Sequence, residues 1–285
     1  MAAPRPRHDV RVLGSPWPGV HATDITSGMH FGRHWHAAFG IGLMLAGAHR
    51  SASGHRTVDA FAGDLVATNP GEVHDGRPLA APSRRWCTVY IEPQVLAAHG
   101  AGGVALQPVF RDARTAAALR VLLARMQAWT GGTHGRSAAD RLACDEALAL
   151  VCAGLPAADT LPAVRGPDAG DLAADVARAC LAGHLLDPPS LAELARLAGV
   201  GRFQLLRSFR RRWGITPHAW LVQQRAEHAR GLIGRGATLA HAAAAAGFAD
   251  QSHMTRAFTR RYGFTPGAWR KALGIGSPGS PPSRG

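Results

Sequence analysis

The chain has 285 residues, of which 46% are hydrophobic, and it carries 32 Lys+Arg against 19 Asp+Glu, a formal net charge of +13 at pH 7. No run of residues approaches the ~20 apolar positions of a membrane-spanning helix, and the four cysteines form no close pair that would indicate a zinc or redox site. The basic excess instead indicates a polyanionic partner.

The first residues, 1–19, are expected to form an N-terminal arm, and they contain no apolar signal segment. The four cysteines lie in apolar stretches, where a thiol is typical of a small core residue in a reducing compartment; they are Cys87, Cys144, Cys152 and Cys180. We therefore expect a cytoplasmic protein without a membrane partner.

Residues 20–110 are rich in Gly, Pro and His and contain short apolar segments between turns, at 39–47 (FGIGLMLAG), 64–68 (DLVAT) and 86–92 (WCTVYIE). Short strands at this spacing predict a β-barrel or sandwich. A barrel of this size can hold one small ligand in its mouth.

Two motifs in this region carry histidines: His34-Trp-His36, and residues 63–74 (GDLVATNPGEVH), which end at His74. Over residues 20–95 the chain resembles a cupin-like sensor domain. In catalytic cupins the equivalent motifs supply histidines to a metal, so the resemblance makes these three imidazoles candidate ligands. Gly40, or another small residue nearby, stands where the ligand glutamate is expected, and Glu72 would have to substitute.

This departure leads us to expect no metal, no other cofactor and no enzymatic activity, because backbone carbonyls can satisfy histidines in a Gly-rich barrel. The residues predicted to line an effector pocket are His34, His36, Asn69, Glu72, His74 and Trp86. The alternative is that Trp86 is a core residue and the others belong to turns.

Residues 111–155 change character and predict an αα-hairpin. Leu119, Leu122, Met126 and Trp129 are spaced as one helical stripe, the segment 131–135 breaks it, and 136–155 is again rich in Ala and Leu. Residues 156–169 then contain three prolines without periodicity, as expected of a linker.

An internal repeat dominates the rest of the chain. Residues 191–220 match 239–269 at an offset of 48, which becomes 49 after one inserted residue. Each copy has a short helix, a glycine turn, a second helix and a Thr-Pro pair, which is the helix-turn-helix pattern.

Capping residues support these helices. Ser190 and Glu193 form a capping box, and Asp250 is a good N-cap. Gly214 and Gly263 are expected to end the two second helices. Thr216-Pro217 should begin a long helix over about 217–234.

Each second helix has one apolar stripe, formed by Leu205, Phe209 and Trp213 in the first copy and by Met254, Phe258 and Tyr262 in the second. The opposite face is polar and basic. Residues 187–273 hold 14 Lys+Arg against 4 Asp+Glu, whereas 1–186 hold 17 against 15. This distribution assigns the polyanionic partner to the second half of the chain.

Residues 170–273 resemble the DNA-binding domain of the AraC/XylS family of transcription regulators, most specifically over GFADQSHMTRAFTRRYGFTPGAWR (247–270). The family implies that both second helices enter successive major-groove turns of double-stranded DNA, ~34 Å apart. The resemblance places base contacts on Phe203, Arg207, Gln251, Ser252 and Arg256. Phosphate contacts are expected from Arg202, Arg210, Arg211, Arg260 and Arg261.

The expected fold class is therefore an α+β multidomain protein, in which an N-terminal cupin-like β-barrel with an αα-hairpin precedes a C-terminal all-α domain. That domain contains two helix-turn-helix units joined by a long helix, and a disordered tail over 274–285 follows it. Cupin-like domains occur upstream of this DNA-binding domain in many members of the family, where the following helices commonly form the dimer contact. Here those helices could equally well only cover the barrel.

The expected function is sequence-specific transcription regulation in response to a small-molecule effector that the sequence does not identify. The resemblance favours activation over repression and implies a homodimer, with RNA polymerase as a further partner. Two alternatives stay open: a cupin-type metal-dependent enzyme carrying a DNA-binding domain, and a non-specific architectural DNA binder.

Overall fold

The computed structural model describes residues 8–53, 56–79, 82–101, 103–131, 137–156 and 168–275. The chain divides into two compact units, one of residues 1–161 with 272–274 and one of 162–271 with 275–285. Most of the expected linker, most of the expected tail and the expected hairpin turn lie outside the described residues. Within the described part, no helix combines the length and the apolar character needed to cross a membrane.

The described residues of the first unit form ten short strands, arranged in two antiparallel sheets. In chain order they are β1 (His8–Leu13), β2 (Val20–Ser27), β3 (Phe31–His34), β4 (Phe39–Ala46), β5 (Ala48–Ser53), β6 (Arg56–Phe61), β7 (Leu65–Thr68), β8 (His74–Pro78), β9 (Arg84–Ile91) and β10 (Val109–Phe110). One sheet has the order β1-β2-β9-β4-β7-β10 and the other β3-β8-β5-β6. The three segments predicted as strands correspond to β4, β7 and β9.

The N-terminal arm expected over 1–19 is wrong for part of its length, because His8–Leu13 forms β1 and pairs with β2 along its whole length. Val12 and Leu13 are buried. Apolar residues alternate with charged ones in this segment, which is typical of a strand with one covered face. The histidine and arginines in and around this segment made the strand pattern hard to recognise from the sequence.

Strand β9 separates two different environments. Cys87, Val89 and Ile91 join a hydrophobic core with residues of the helices that follow the sheets. Arg84, Trp86, Thr88 and Tyr90 alternate with them and therefore lie on the opposite face. Trp86 contacts Phe31 of β3 there, so this face looks towards the second sheet.

The part of the first unit that the structure describes also contains three helices, α1 (Pro93–Ala98), α2 (Ala113–Gly131) and α3 (Ala138–Ala153). The predicted stripe on α2 is largely confirmed, since Leu119, Leu122 and Met126 are fully buried in the same core as β9. The hairpin therefore covers the six-stranded sheet. Its outer surface leaves Leu142 and Leu150 of α3 exposed.

The helices of the C-terminal half follow the predicted repeat. They are α4 (Ala169–Gly183), α5 (Leu191–Leu197), α6 (Arg202–Trp213), α7 (Pro217–Gly234), α8 (Leu239–Ala245), α9 (Gln251–Tyr262) and α10 (Pro266–Ala272). The long helix predicted over about 217–234 is confirmed as α7. Helix α4 precedes the first copy of the repeat.

The caps are also confirmed. Ser190 and Glu193 form a reciprocal capping box, and Asp250 accepts a hydrogen bond of 2.6 Å from the His253 amide. Gly214 and Gly263 end α6 and α9 with φ of 72° and 80°, the left-handed region that an L side chain rarely adopts.

The repeat extends to the helix that supports each unit. Arg212 of α6 pairs with Asp175 of α4 at 3.3 Å, and the equivalent Arg261 of α9 pairs with Glu227 of α7 at 2.6 Å. Each carboxylate precedes an arginine by three positions, Arg178 on α4 and Arg230 on α7. The second helix of each copy is therefore joined by an ion pair to a carboxylate of the helix it packs against, α4 or α7.

Candidate functional sites

The two second helices, α6 and α9, present their polar faces to solvent. All five residues predicted to contact bases are exposed; they are Phe203, Arg207, Gln251, Ser252 and Arg256. Phe203 is 82% exposed. A phenyl ring exposed to water lacks the ~1.5–3 kcal/mol of stabilisation that its burial would provide. A partner that covers Phe203 would supply this free energy. Contact of these residues with DNA stays a prediction.

Arg261 does not belong to this exposed surface, so its predicted phosphate contact is wrong. Its side chain is 3% exposed and its guanidinium donates to Glu227 Oε1 at 2.6 Å and to the Gln223 carbonyl at 2.5 Å. Arg230 donates to the other oxygen of Glu227 at 3.0 Å. Burial alone would raise the pKa of Glu227, but the two guanidinium groups outweigh it and lower that pKa to about 2. The cluster is an internal ion-pair network.

The other four arginines predicted to contact phosphates, Arg202, Arg210, Arg211 and Arg260, are exposed. Arg211 is also engaged within its own unit, where it donates to Asp168 at 2.6 Å and to Asp171 at 3.2 Å. A phosphate would have to replace these carboxylates as its partner. Exposed pairs of this kind contribute only ~0–1 kcal/mol, so breaking them to bind a phosphate would cost little free energy.

In the first unit, His34, His36 and His74 come together between the two sheets. Their ring centroids lie 4.4 to 5.2 Å apart. His34 Nδ1 is 2.8 Å from the Gly32 carbonyl and His74 Nδ1 is 3.0 Å from the Glu72 carbonyl. A carbonyl can only accept, so both Nδ1 atoms carry a hydrogen.

These three imidazoles approach the arrangement of a metal site without completing it. Their candidate ligand atoms all lie within 4.8 Å of one another, so the three imidazoles are close enough to hold a metal ion. Glu72, the substitute for the missing ligand, accepts instead from Ser53 Oγ and from Asn69 Nδ2. Gly40 offers no side chain. The three histidines therefore lack the carboxylate ligand that completes the metal centre of a catalytic cupin.

The polar face of β9 brings further side chains next to these histidines, which the sequence did not single out. Tyr90 stacks on His21 at 4.8 Å and meets His36 edge-on at 5.1 Å. Burial raises the pKa of Tyr90 to about 12, so the phenol is neutral. Thr23 of β2 pairs directly with Thr88 beside it. Alternation along β2 and β9 was the available signal, but it does not say which face meets a second sheet.

Trp86 lies in a separate cluster. Its ring is 5.9 Å from Phe31, 6.1 Å from His49 and 4.7 Å from the Arg84 guanidinium carbon, measured to ring centroids. Arg84 is 1% exposed and donates from Nε to His49 Nδ1 at 2.7 Å. Burial and the nearby charge of Arg84 lower the pKa of His49 to about 3, which keeps this imidazole neutral.

Comparison with known proteins identifies both units. A family model described as the AraC-like ligand binding domain matches residues 20–151, and one described as a helix-turn-helix domain matches 194–272. The chain is similar to an uncharacterized HTH-type transcriptional regulator, YbfI, of Bacillus subtilis (strain 168), at 38% identity over 71 residues. That match spans 25% of this chain and 26% of the curated relative.

Solved structures give weaker likenesses. Fatty-acid-bound ToxT from Vibrio cholerae is 12% identical with a TM-score of 0.48, covering 98% of this chain and 100% of that one. An AraC-type regulator from Chromobacterium violaceum is 24% identical with a TM-score of 0.34, covering 35% of this chain and 91% of that one. Both TM-scores are too low to support an assignment, which depends on the two family models.

Proposed function

Because this chain belongs to the AraC family of transcription regulators, we propose that it is a sequence-specific DNA-binding regulator controlled by a small molecule bound in its first unit. The observation that carries the proposal is the pair of equivalent, exposed polar faces on α6 and α9. A single basic helix is common on protein surfaces, whereas two at matched positions of a repeat are typical of a protein that reads successive grooves.

The exposed residues match the chemistry of base edges. Arg256 has the fork that pairs with the O6 and N7 atoms of guanine, and the amide of Gln251 suits adenine. Phe203 would cover its ring against a thymine methyl group. The surrounding arginines, Arg202, Arg210 and Arg260, would hold the helices on phosphates without reading sequence.

The first unit would act as the sensor. Its two sheets enclose a polar face with imidazole, hydroxyl and guanidinium groups, which can select a small polar molecule. The effector must bind one arrangement of the protein better than another, because a ligand shifts an equilibrium only by its differential affinity. Coupling of ~1–3 kcal/mol would change DNA affinity about 5–150-fold.

Three finer features belong to the same proposal. The output is activation, with RNA polymerase as the partner. The protein acts as a homodimer in the cytoplasm, and the exposed Leu142 and Leu150 of α3 would contribute to the contact between copies. It has no catalytic activity, since the carboxylate of Glu72 is committed to Ser53 and Asn69.

Selection of binding sites from random double-stranded DNA tests the proposal. The full-length chain should enrich one sequence pattern, and Arg256→Ala should lose ~1–3 kcal/mol on that pattern and relax its preference at one base pair. Arg235→Ala, which removes an exposed arginine at the end of α7, is the matched control and should retain the preference.

Two results would count against base reading. If Arg256→Ala weakens random and selected DNA equally, Arg256 is only a phosphate contact. If the wild-type chain enriches nothing and its affinity falls steeply with salt, the protein is a non-specific architectural binder.

For the sensor, a chain lacking residues 1–160 should still bind the selected DNA but no longer respond to effector.

A further inference from the structure

Arg84 is a buried cation without an anionic partner. Its side chain is 1% exposed and lies on the face of β9 that looks towards the second sheet. Among the described residues it takes part in no ion pair, and burial alone lowers its pKa, to about 10. The guanidinium is therefore still charged at neutral pH. A charge in such a place is costly unless it is paired, so its retention needs an explanation.

The protein holds this guanidinium in one orientation. Nε donates to the neutral His49, and Nη1 donates to the carbonyls of Ser27 at 3.3 Å and Met29 at 3.1 Å. Nη2 has no hydrogen-bond partner in the described part of the chain. Three positions are thus fixed by neutral acceptors, while the remaining nitrogen offers two N–H donors.

The described residues around Arg84 add no negative charge to compensate. The carboxylate of Glu72 is occupied by Ser53 and Asn69, and Asp59 pairs with Arg50. Aromatic rings lie over the guanidinium instead, with Trp86 at 4.7 Å and Phe31 at 5.8 Å from its carbon. Both rings are half-buried.

We propose that Arg84 binds the anionic group of the effector and that this group is a carboxylate on an apolar body. This inference rests on the proposed function, because it names the chemistry of the sensor's ligand. A carboxylate supplies the missing charge and accepts from Nη2, and charge-assisted bonds of this kind are the strong ones. A dianionic phosphate would need more donors than Nη2 offers. The aromatic rings suit the apolar part of the molecule.

The alternative is a purely structural arginine, for which the rings of Trp86 and Phe31 are sufficient partners. The two cases differ in how the protein responds to carboxylates. Thermal unfolding and calorimetric titration of the full-length chain can be followed with acetate, butyrate and phenylacetate, each against its neutral amide, and with inorganic phosphate, all at constant ionic strength.

At least one carboxylate should raise the unfolding temperature saturably, while its amide and phosphate should not. Arg84→Met should weaken that binding at least 10-fold, and Arg84→Lys, which keeps the charge but loses the fork, should weaken it less. Arg85→Met is the matched control, since Arg85 points to the other face and pairs with Asp24. Its carboxylate binding should equal that of the wild type.

The inference is overturned if no carboxylate stabilises the wild-type chain more than its amide does, if phosphate binds better, or if Arg84→Met binds as well as the wild type. Should Arg84→Met fail to fold, the wild-type comparison of acids with amides and the Arg84→Lys variant still decide the matter. DNA selection is independent of this assay. Carboxylate binding without sequence-specific DNA binding would refute the proposed function and leave the Arg84 site intact.

Discussion

Neighbouring arginines at the end of α9 should behave in opposite ways when each is replaced by alanine. Arg261 is buried against Glu227, whereas Arg260 is exposed on the face proposed to meet DNA. The ordinary pKa of a glutamate is 4.5, and that of Glu227 is about 2. Because each pKa unit corresponds to ~1.4 kcal/mol, Arg261 and Arg230 together stabilise the Glu227 carboxylate by ~3 kcal/mol net of its burial.

Arg261→Ala leaves a buried carboxylate short of its closer partner, and breaking such a pair typically costs ~3–5 kcal/mol. Since Arg230 remains, we expect a loss of ~3 kcal/mol in the stability of the helical unit. Denaturant unfolding of the full-length chain would measure it, with hydrogen exchange of the α7 and α9 amides to assign the loss to this unit. The folded fraction should bind DNA with an unchanged salt dependence.

Arg260→Ala is the matched control and should do the reverse, because an exposed arginine contributes little to stability. It should weaken all DNA sequences alike and lower the slope of log affinity against log salt by about one. If Arg261→Ala instead lowers that slope while leaving stability unchanged, the ion-pair network has been misread and Arg261 is a phosphate contact after all.

Three further outcomes are expected. The folded-state pKa of Glu227 is depressed, so its stabilising contribution should be complete above pH 4.5 and disappear as pH falls towards 2; acid unfolding of Glu227→Gln and the wild type should converge over that range, and curves that stay parallel would exclude the contribution. Asp168→Asn, which removes one of the two carboxylates that pair with Arg211, should raise affinity for random DNA by ~1.4–5-fold at low salt, a gain that fluorescence anisotropy would detect and that should be smaller when Arg211 is also replaced by alanine. Elemental analysis of the purified chain should find less than one transition metal per molecule, because no carboxylate joins His34, His36 and His74 as the fourth ligand; one tightly held ion, lost in His74→Ala, would contradict this.

The features predictable from sequence were the ones encoded over a few neighbouring residues. Capping at Ser190 and Asp250, helix ends at Gly214 and Gly263, and the long helix α7 each depend on contacts within one or two turns. A repeat doubles every such signal, so both helix-turn-helix units could be placed. Local chemistry determines local structure well enough for that.

The misassignment of Arg261 had a different origin. The residue lies seven positions after Met254 and three after Phe258, which puts it on the buried stripe of α9. Its charge was taken as a sign of exposure, and the partner that makes burial tolerable, Glu227, lies 34 residues away. A buried ion pair cannot be read from one helix alone.

The interior of the first unit was hidden for a related reason. Alternation shows that β2 and β9 have two faces, but only the pairing of distant strands shows that Tyr90 meets His36 while Arg84 meets His49. The motif residues His34, His36 and His74 could be grouped because their spacing is distinctive. Arg84 lies outside any motif, and its importance emerges only when its missing counter-ion is noticed.

The ion pairs that hold α6 and α9 in place differ in their exposure to solvent, although their residues correspond. The one behind α6 joins Arg212 and Asp175, which are 30% and 33% exposed, while Arg261 and Glu227 behind α9 are 3% and 12% exposed. Dissolved ions screen the outer ion pair and hardly reach the inner one. Rising salt should therefore weaken the attachment of α6 to α4 more than that of α9 to α7. On DNA, α9 would then be held more rigidly, while α6 would be freer to adjust its position in the major groove.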